Sequence, residues 1–341
     1  MKNENIVVLK ELLFRKKNIV IIPHANPDGD AIGSSLALMH LLNSIDHNST
    51  VISPNKAPYF LKWSPGFENI MYFDSDKNSC LKFIKNADLI FTLDFNDLDR
   101  IGEMSKYVDS SNAKIILIDH HLNPKDYADL VFSDIEIGST CELLFEIIIE
   151  LGHEKNIDSK IASCLYLGMM TDTGSFQYSS VTSRTHEIIS KLIQKGINQS
   201  DIHNKVYNDS SIGKLKVLGS ALSNLNVLKE LNTAYMYLKR DDLKKFDFQK
   251  GDSEGIVNYG LSLKNIIFSV IFIEDVNDEN NIKISFRSQD GFSCNEFADK
   301  HFNGGGHANA AGGRDDGPIE ETIRKFKKLI NQYKDNLTTN K

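Results

Sequence analysis

Four cysteines occur in 341 residues, Cys80, Cys141, Cys164 and Cys294, widely scattered and each beside apolar neighbours. That spacing excludes a zinc knuckle or a thioredoxin-like pair and makes them core thiols. No apolar run approaches the ~18–20 residues needed to cross a bilayer, so no membrane partner is expected. The opening Met1–Lys2–Asn3–Glu4–Asn5 leads into an amphipathic pattern and not a signal peptide, which fits a reducing cytoplasm. Positive charge is also short, with 39 Lys and Arg against 46 Asp and Glu, a net of −7. Proteins that bind long duplex DNA draw most of their affinity from basic contacts to phosphate, so that class is disfavoured. A small phosphorylated ligand held by metals and a few local cations is not.

Apolar residues make up 41% and charged residues 25%, an ordinary globular composition with length enough for two cores. Ile6 to Phe14 has helical spacing, and Asn18 to Ile22 reads as a strand apolar on both faces, as in parallel sheets. A helix starts at Ala31, and further strands are expected at 50–52, 70–73, 88–93 and 114–118, with helices filling the intervals. This is an α/β pattern with a doubly wound, mainly parallel sheet. Thr140 to Leu151, Ser159 to Met170, Ser180 to Lys195 and Ile212 to Lys229 read as helices. Composition then shifts to β-like segments at 233–238, 265–274 and 281–286, with helices over Asp252 to Gly260 and Ile319 to Tyr333. The expected domains are a metal-binding catalytic domain over 1–195, a helical connector over 196–231, and a smaller mixed-sheet α+β domain over 232–341 that ends in a polar tail.

Acidic and histidine residues follow the apolar runs. His24, Asp28 and Asp30 lie in a loop stiffened by Pro27 and tightened at Gly29; Asp94 ends a strand; Asp119–His120–His121 ends another; Asp172 follows a helical stretch. Taken singly, each is as easily a helix cap or a turn. Parallel neighbouring strands would gather Asp28, Asp30, Asp94, His120 and Asp172 at one rim, and so many like charges do not persist without cations. Oxygen ligands with one or two imidazoles suit Mn²⁺ or Mg²⁺ better than structural zinc. Two such ions ~3.5–4 Å apart activate water and neutralise charge at phosphorus, so the residues point to metal-assisted phosphoester hydrolysis.

In the second domain, Gly304–Gly305–Gly306–His307 lets backbone approach an anion closely. A helix beginning near His307 would aim free N–H groups at it, and His307 itself can donate to a phosphate. The Gly-Lys-Ser/Thr ending of a Walker A loop is absent. Arg287, at the end of a strand, can reach the same phosphate or stack on a base. Arg184 and His186 open a helix that Thr182 or Ser183 caps, and Arg184 is a candidate to face a cleft between the domains.

Together these segments resemble the DHH phosphoesterases. His24–Ala25–Asn26–Pro27–Asp28–Gly29–Asp30–Ala31, Asp94, Asp119–His120–His121 and Asp172 match the family's catalytic motifs in order, and Gly304–Gly305–Gly306–His307 with Ala310–Ala311–Gly312 matches the associated carboxyl-terminal domain. The resemblance covers residues 1–335 and is strongest to the branch that hydrolyses short oligoribonucleotides and 3′-phosphoadenosine 5′-phosphate (pAp). It implies two divalent cations, Mn²⁺ first and Mg²⁺ as the alternative. His24, Asp28 and Asp94 would hold one; Asp30, Asp94, His120 and Asp172 would surround the other. Asp119 would support the site and His121 stand near the phosphate or leaving oxygen. Arg287, His307 and the glycine backbone would bind substrate phosphate. The implied partners are short single-stranded RNA and small phosphorylated nucleotides, and a homodimer stays open. Two alternatives stand beside this reading: a phosphodiesterase for linear pApA or a cyclic dinucleotide, and a non-catalytic nucleotide- or RNA-binding protein.

Overall fold

A computed structural model describes residues 3–249, 251–278, 280–289 and 291–338. The chain divides into two compact units, Met1–Asp209 and Ser210–Lys341. The stretch 196–231 is shared between them.

The first unit begins with α1 (Asn3–Leu12), β1 (Asn18–Pro23), α2 (Gly29–Ser44), β2 (Asn48–Ser53) and β3 (Met71–Tyr72). It continues with α3 (Lys77–Lys85), β4 (Leu89–Leu93), α4 (Ser105–Asp109), β5 (Lys114–Asp119) and β6 (Leu130–Ser133). Four helices close it: α5 (Thr140–Leu151), α6 (Ser159–Asp172), α7 (Ser183–Gln194) and α8 (Gln199–Tyr207). The six strands are all parallel in the order β3-β2-β1-β4-β5-β6. The expected doubly wound sheet is present, and β1, β4 and β5 are buried almost throughout because helices cover both faces. β6 was not anticipated; four residues are too few to show a period. Strand order reverses between β1 and β4, which opens a crevice at their carboxyl ends. Register aligns Pro23 with Leu93 and Leu93 with Ile118, so the residues that follow the three strands emerge at one level.

Helices α2 and α6 cross in close contact. A Cβ on Gly33 would fall 2.5 Å from the Cys164 carbonyl oxygen, and one on Gly168 would fall 2.4 Å from an Asp30 carboxylate oxygen. These two glycines therefore let α6 approach α2 and leave room for Asp30. All four cysteines are buried free thiols.

The second unit runs α9 (Ile212–Ser223), β7 (Asn226–Leu228), β8 (Thr233–Leu238), α10 (Arg240–Lys245) and α11 (Asn258–Leu261). Then come β9 (Phe268–Glu274), β10 (Asn281–Ser288), α12 (Cys294–Phe302), β11 (Gly305–His307), β12 (Ala310–Asp316), α13 (Ile319–Ile330) and α14 (Lys334–Thr338). Its mixed sheet has the order β11-β12-β10-β9-β8-β7, with β8 and β9 parallel and the other pairs antiparallel. Phe268, Phe272, Phe286, Phe297, Phe302 and Phe326 fill its core.

Three expectations need correction. The helix from Ile212 stops at Ser223, and 226–228 pairs with β8 as an edge strand, Asn226 opposite Tyr235. Residues 252–257 form turns with only a short α11 behind them, because Gly255 sits at φ +76°, outside the helical region. The glycine-rich segment starts no helix: β11 and β12 form a hairpin. Gly306 has φ +142°, and a Cβ there would meet the Ala310 carbonyl oxygen at 2.5 Å. Among the described residues no helix is long and apolar enough to cross a membrane.

The helix crossing yields a stability prediction. Gly33→Ala should destabilise the protein by about 1–3 kcal/mol through overpacking against backbone. Gly219→Ala, on α9 with no atom within 4 Å of the added methyl, should stabilise by about 0.5–1 kcal/mol. Urea denaturation checks both; equal effects would show that the crossing tolerates a wider spacing.

Candidate metal centre

Three strand ends and one helix end build the site. After β1 the chain turns through Asn26, whose left-handed φ of 56° is held by a reciprocal amide pair: Asn26 N–H donates to Asn55 Oδ1 (2.6 Å), and Asn55 Nδ2 donates to Asn26 Oδ1 (2.7 Å). Asp28, and not Asp30, is the cap of α2; its Oδ1 accepts from the amides of Asp30 and Ala31. Asp30 instead turns inward, 1% exposed, and accepts from the Thr140 amide at 2.6 Å and the Cys141 amide at 2.9 Å. Asp94 follows β4 with φ 67° and donates its N–H to the Ile118 carbonyl at the end of β5. Asp172 is the last residue of α6.

The side chains converge on Asp94. Its Oδ2 lies 3.6 Å from His24 Nε2, and its Oδ1 lies 3.6 Å from His120 Nε2 and 3.8 Å from His121 Nδ1. His24 Nε2 is also 3.7 Å from Asp28, while His120 Nε2 is 3.1 Å from Asp172 and 4.0 Å from Asp30. In both His24 and His120 the other ring nitrogen faces a backbone carbonyl, Ala25 at 2.9 Å and Ile137 at 3.3 Å. That arrangement fixes the tautomer and presents Nε2 to the carboxylates. His121 differs: its Nδ1 donates to the fully buried Asp119 at 2.7 Å. Among the described residues, three sets have ligand atoms within 4.8 Å of one another: His24, Asp28 and Asp94; Asp30, His120 and Asp172; Asp94, His120 and His121.

Electrostatics show what the cluster needs. Burial alone would depress His24, yet Asp28 and Asp94 outweigh it and raise the imidazole to about 10. His120 is raised likewise, with Asp172 the main partner opposing burial. Asp30 is pushed well up by burial and by the charges of Asp94 and Asp172. Asp28, whose side chain is still exposed, is drawn down by His24 against the partial dehydration of its carboxylate. Without metal the pocket balances its negative charge by keeping protons. Divalent cations would replace those protons, and a donor set of carboxylate oxygens and imidazole nitrogens without thiolate fits Mn²⁺ or Mg²⁺. Cys141, beside Asp30, has its thiol raised by burial.

Arg184 lies in the first unit, and Arg287, Gly304, Gly305, Gly306 and His307 lie in the second. Arg184 on α7 holds Glu146 through two nitrogens, at 2.6 and 2.9 Å, and Glu187 at 3.0 Å. Arg287 is on β10 and donates to the Phe286 carbonyl at 3.0 Å. In register, Arg287 is opposite Ala310, which is opposite His307, and Gly305 and Gly306 pair with Gly312 and Ala311. The His307 side chain lies outside the described part of the structure. The helix from Thr140 was expected, but the contact of its first turn with the acidic cluster was not, although Ser139–Thr140–Cys141–Glu142 carries a capping signature before an apolar run.

Residues 18–169 match the DHH family, N-terminal domain, and residues 229–336 match the DHHA1 domain. The crystal structure of an exopolyphosphatase-related protein from Bacteroides fragilis is 46% identical, with a TM-score of 0.94 over 98% of this chain and 97% of that one. The bifunctional oligoribonuclease and PAP phosphatase NrnA of Bacillus subtilis (strain 168) is 28% identical over 295 residues, 86% of this chain and 88% of its own. RecJ from Thermus thermophilus, in complex with Mn²⁺, shares the fold at 13% identity and a TM-score of 0.57, covering 98% of this chain and 54% of that one. The site and these likenesses define a metal-dependent phosphoesterase. The chain belongs to the DHH family, with a DHHA1 domain following the DHH domain.

A pH dependence follows for the metal-free protein. A histidine raised from 6.5 to about 10 on folding stabilises fully below pH 6.5, and that contribution is lost as pH rises through about 10. The stability difference between the wild type and His24→Gln, from urea unfolding in chelator, should therefore shrink between those limits. A constant difference would show that His24 is neutral in the metal-free fold.

Proposed function

We propose that this protein hydrolyses short oligoribonucleotides to nucleoside 5′-monophosphates and pAp to AMP and phosphate, with two divalent cations, Mn²⁺ or Mg²⁺. The observation that carries the reading is Asp94, whose two carboxylate oxygens face different histidines and so different ligand sets. The name of the Bacillus subtilis relative supports the substrate class.

When bound, the cations supply activation of water and offset the charge that builds on the phosphorus oxygens. His24, Asp28 and Asp94 would hold one of them, and Asp30, Asp94, His120 and Asp172 the other. Asp119 accepts from His121 Nδ1, so a proton given to the departing oxygen would leave from Nε2. Water forms the new bond to phosphorus and gives up a proton to solvent, the bond to the 3′ oxygen breaks, and that oxygen takes the His121 proton, which solvent then restores. Asp119 keeps the imidazole oriented through Nδ1. In the second unit, Arg287, His307 and the backbone of Gly304, Gly305 and Gly306 are proposed to bind phosphate. Arg184 would have to release Glu146 to do so, which makes it the weakest member of the substrate set.

Product-resolved hydrolysis tests the reading, using 5′-labelled RNAs from two to about 24 nucleotides with pAp, pApA, cyclic di-AMP and inorganic polyphosphate alongside, under Mn²⁺. The panel spans the size range over which a local anion site discriminates while long-range backbone charge contributes little. Monophosphates from the shortest RNAs, together with AMP from pAp, are expected. Preference for pApA or the cyclic compound would move the assignment to dinucleotide turnover. Preference for polyphosphate would point towards the name carried by the Bacteroides fragilis relative. His121→Asn should lower kcat by about 10²–10⁴-fold through loss of the proton donor while leaving Mn²⁺ binding in place; unchanged kcat would remove His121 from that role.

A further inference from the structure

The first turn of α5 meets the carboxylates of both proposed cation positions. Its opening residue, Thr140, is fully buried and makes two hydrogen bonds across the site. Its backbone N–H donates to Asp30 Oδ2 at 2.6 Å, and its hydroxyl donates to Asp94 Oδ1 at 2.9 Å. The Cys141 amide completes the hold on Asp30 at 2.9 Å. Amides in the first turn of a helix have no partner inside the helix, so they are available to a buried carboxylate and favour its charged form.

The turn is itself pinned. Ser139 caps α5 through the Glu142 amide, and the buried Glu142 carboxylate accepts from the Thr185 hydroxyl at 3.0 and 3.2 Å. Thr185 in turn belongs to the capping box that opens α7 with Thr182. The room is tight as well: a Cβ on Gly138 would lie 3.2 Å from Thr173 and 3.3 Å from Glu142. The end of α5 thus has little freedom to slide along the site.

We infer that Thr140 is a positioning residue that sets the separation and tilt of Asp30 and Asp94, so that the two proposed cation positions form together. A hydroxyl bound at Oδ1 of Asp94 leaves Oδ2 facing His24 and fixes the plane of the carboxylate. Serine can make both bonds. Valine matches the shape of threonine and keeps the amide, but it cannot donate to Asp94. The inference rests on the two-cation reading above.

The test is Mn²⁺ titration of the full-length protein, followed by calorimetry and by the electron paramagnetic resonance signal of free Mn²⁺. The wild type should bind two ions per chain. Thr140→Val should weaken at least one by about 10–100-fold, as loss of a partner that orients a ligand does, and Thr140→Ser should stay close to wild type. Thr140→Ala serves the same comparison if valine disturbs folding, which circular dichroism of the metal-free chains reveals. Wild-type affinities in both valine and alanine variants would overturn the inference. So would a serine variant as weak as valine, since the methyl group and not the hydroxyl would then matter. A wild type that fails to bind two ions would sink the two-cation reading itself, and that outcome is distinct from the variant results.

Discussion

Buried like charge governs the first unit of this chain. Asp30, Asp94 and Asp119 are each 2% exposed or less, and Asp28 and Asp172 close in around them. Carboxylates this close in a low-dielectric setting cannot all stay ionised without compensation. Two imidazoles and the amides at the start of α5 offset part of the charge. The remainder is what a pair of divalent cations would neutralise, and the same deficit would make the pocket a cation trap once its protons leave.

The architecture serves that concentration of charge. Three parallel strands end level at the point where strand order reverses, so their following residues meet without long loops. Asp94 reaches the centre by taking a left-handed turn directly after β4. Aspartate tolerates that conformation better than most residues, and strain of this kind persists only where the surroundings over-determine it. Its amide is tied to β5, and its carboxylate to Thr140. The close passage of α2 over α6 brings Asp30 and Asp172, which are distant in sequence, to the same Nε2 of His120, at 4.0 and 3.1 Å.

Much of this was legible in the sequence, for identifiable reasons. Strands β1, β4 and β5 are buried on both faces, so they read as uninterrupted apolar runs whose ends are easy to place. The acidic and histidine residues at those ends were visible because nothing else in such runs carries charge. The rest depended on information that local pattern lacks. A four-residue β6 and a three-residue β7 are too short to display a period. The glycine segment before His307 was expected to start a helix, yet three glycines have no intrinsic bias, and pairing with β12 decides for a hairpin. Thr140 was read only as part of a helix, since its two partners lie 110 and 46 residues away.

The second unit follows a different logic, with an aromatic core in place of a charged centre. Phe268 lies within 6.2 Å of the rings of Phe286, Phe292, Phe297 and Phe326, which ties together β9 and β10, next to the glycine hairpin in the same sheet. The central claim, that one aspartate joins two cation positions, is tested most directly by anomalous diffraction from crystals grown with Mn²⁺. Two peaks are expected on either side of Asp94, one beside His24 and Asp28 and the other beside Asp30, His120 and Asp172. A single peak, or two peaks that do not share Asp94, would contradict it.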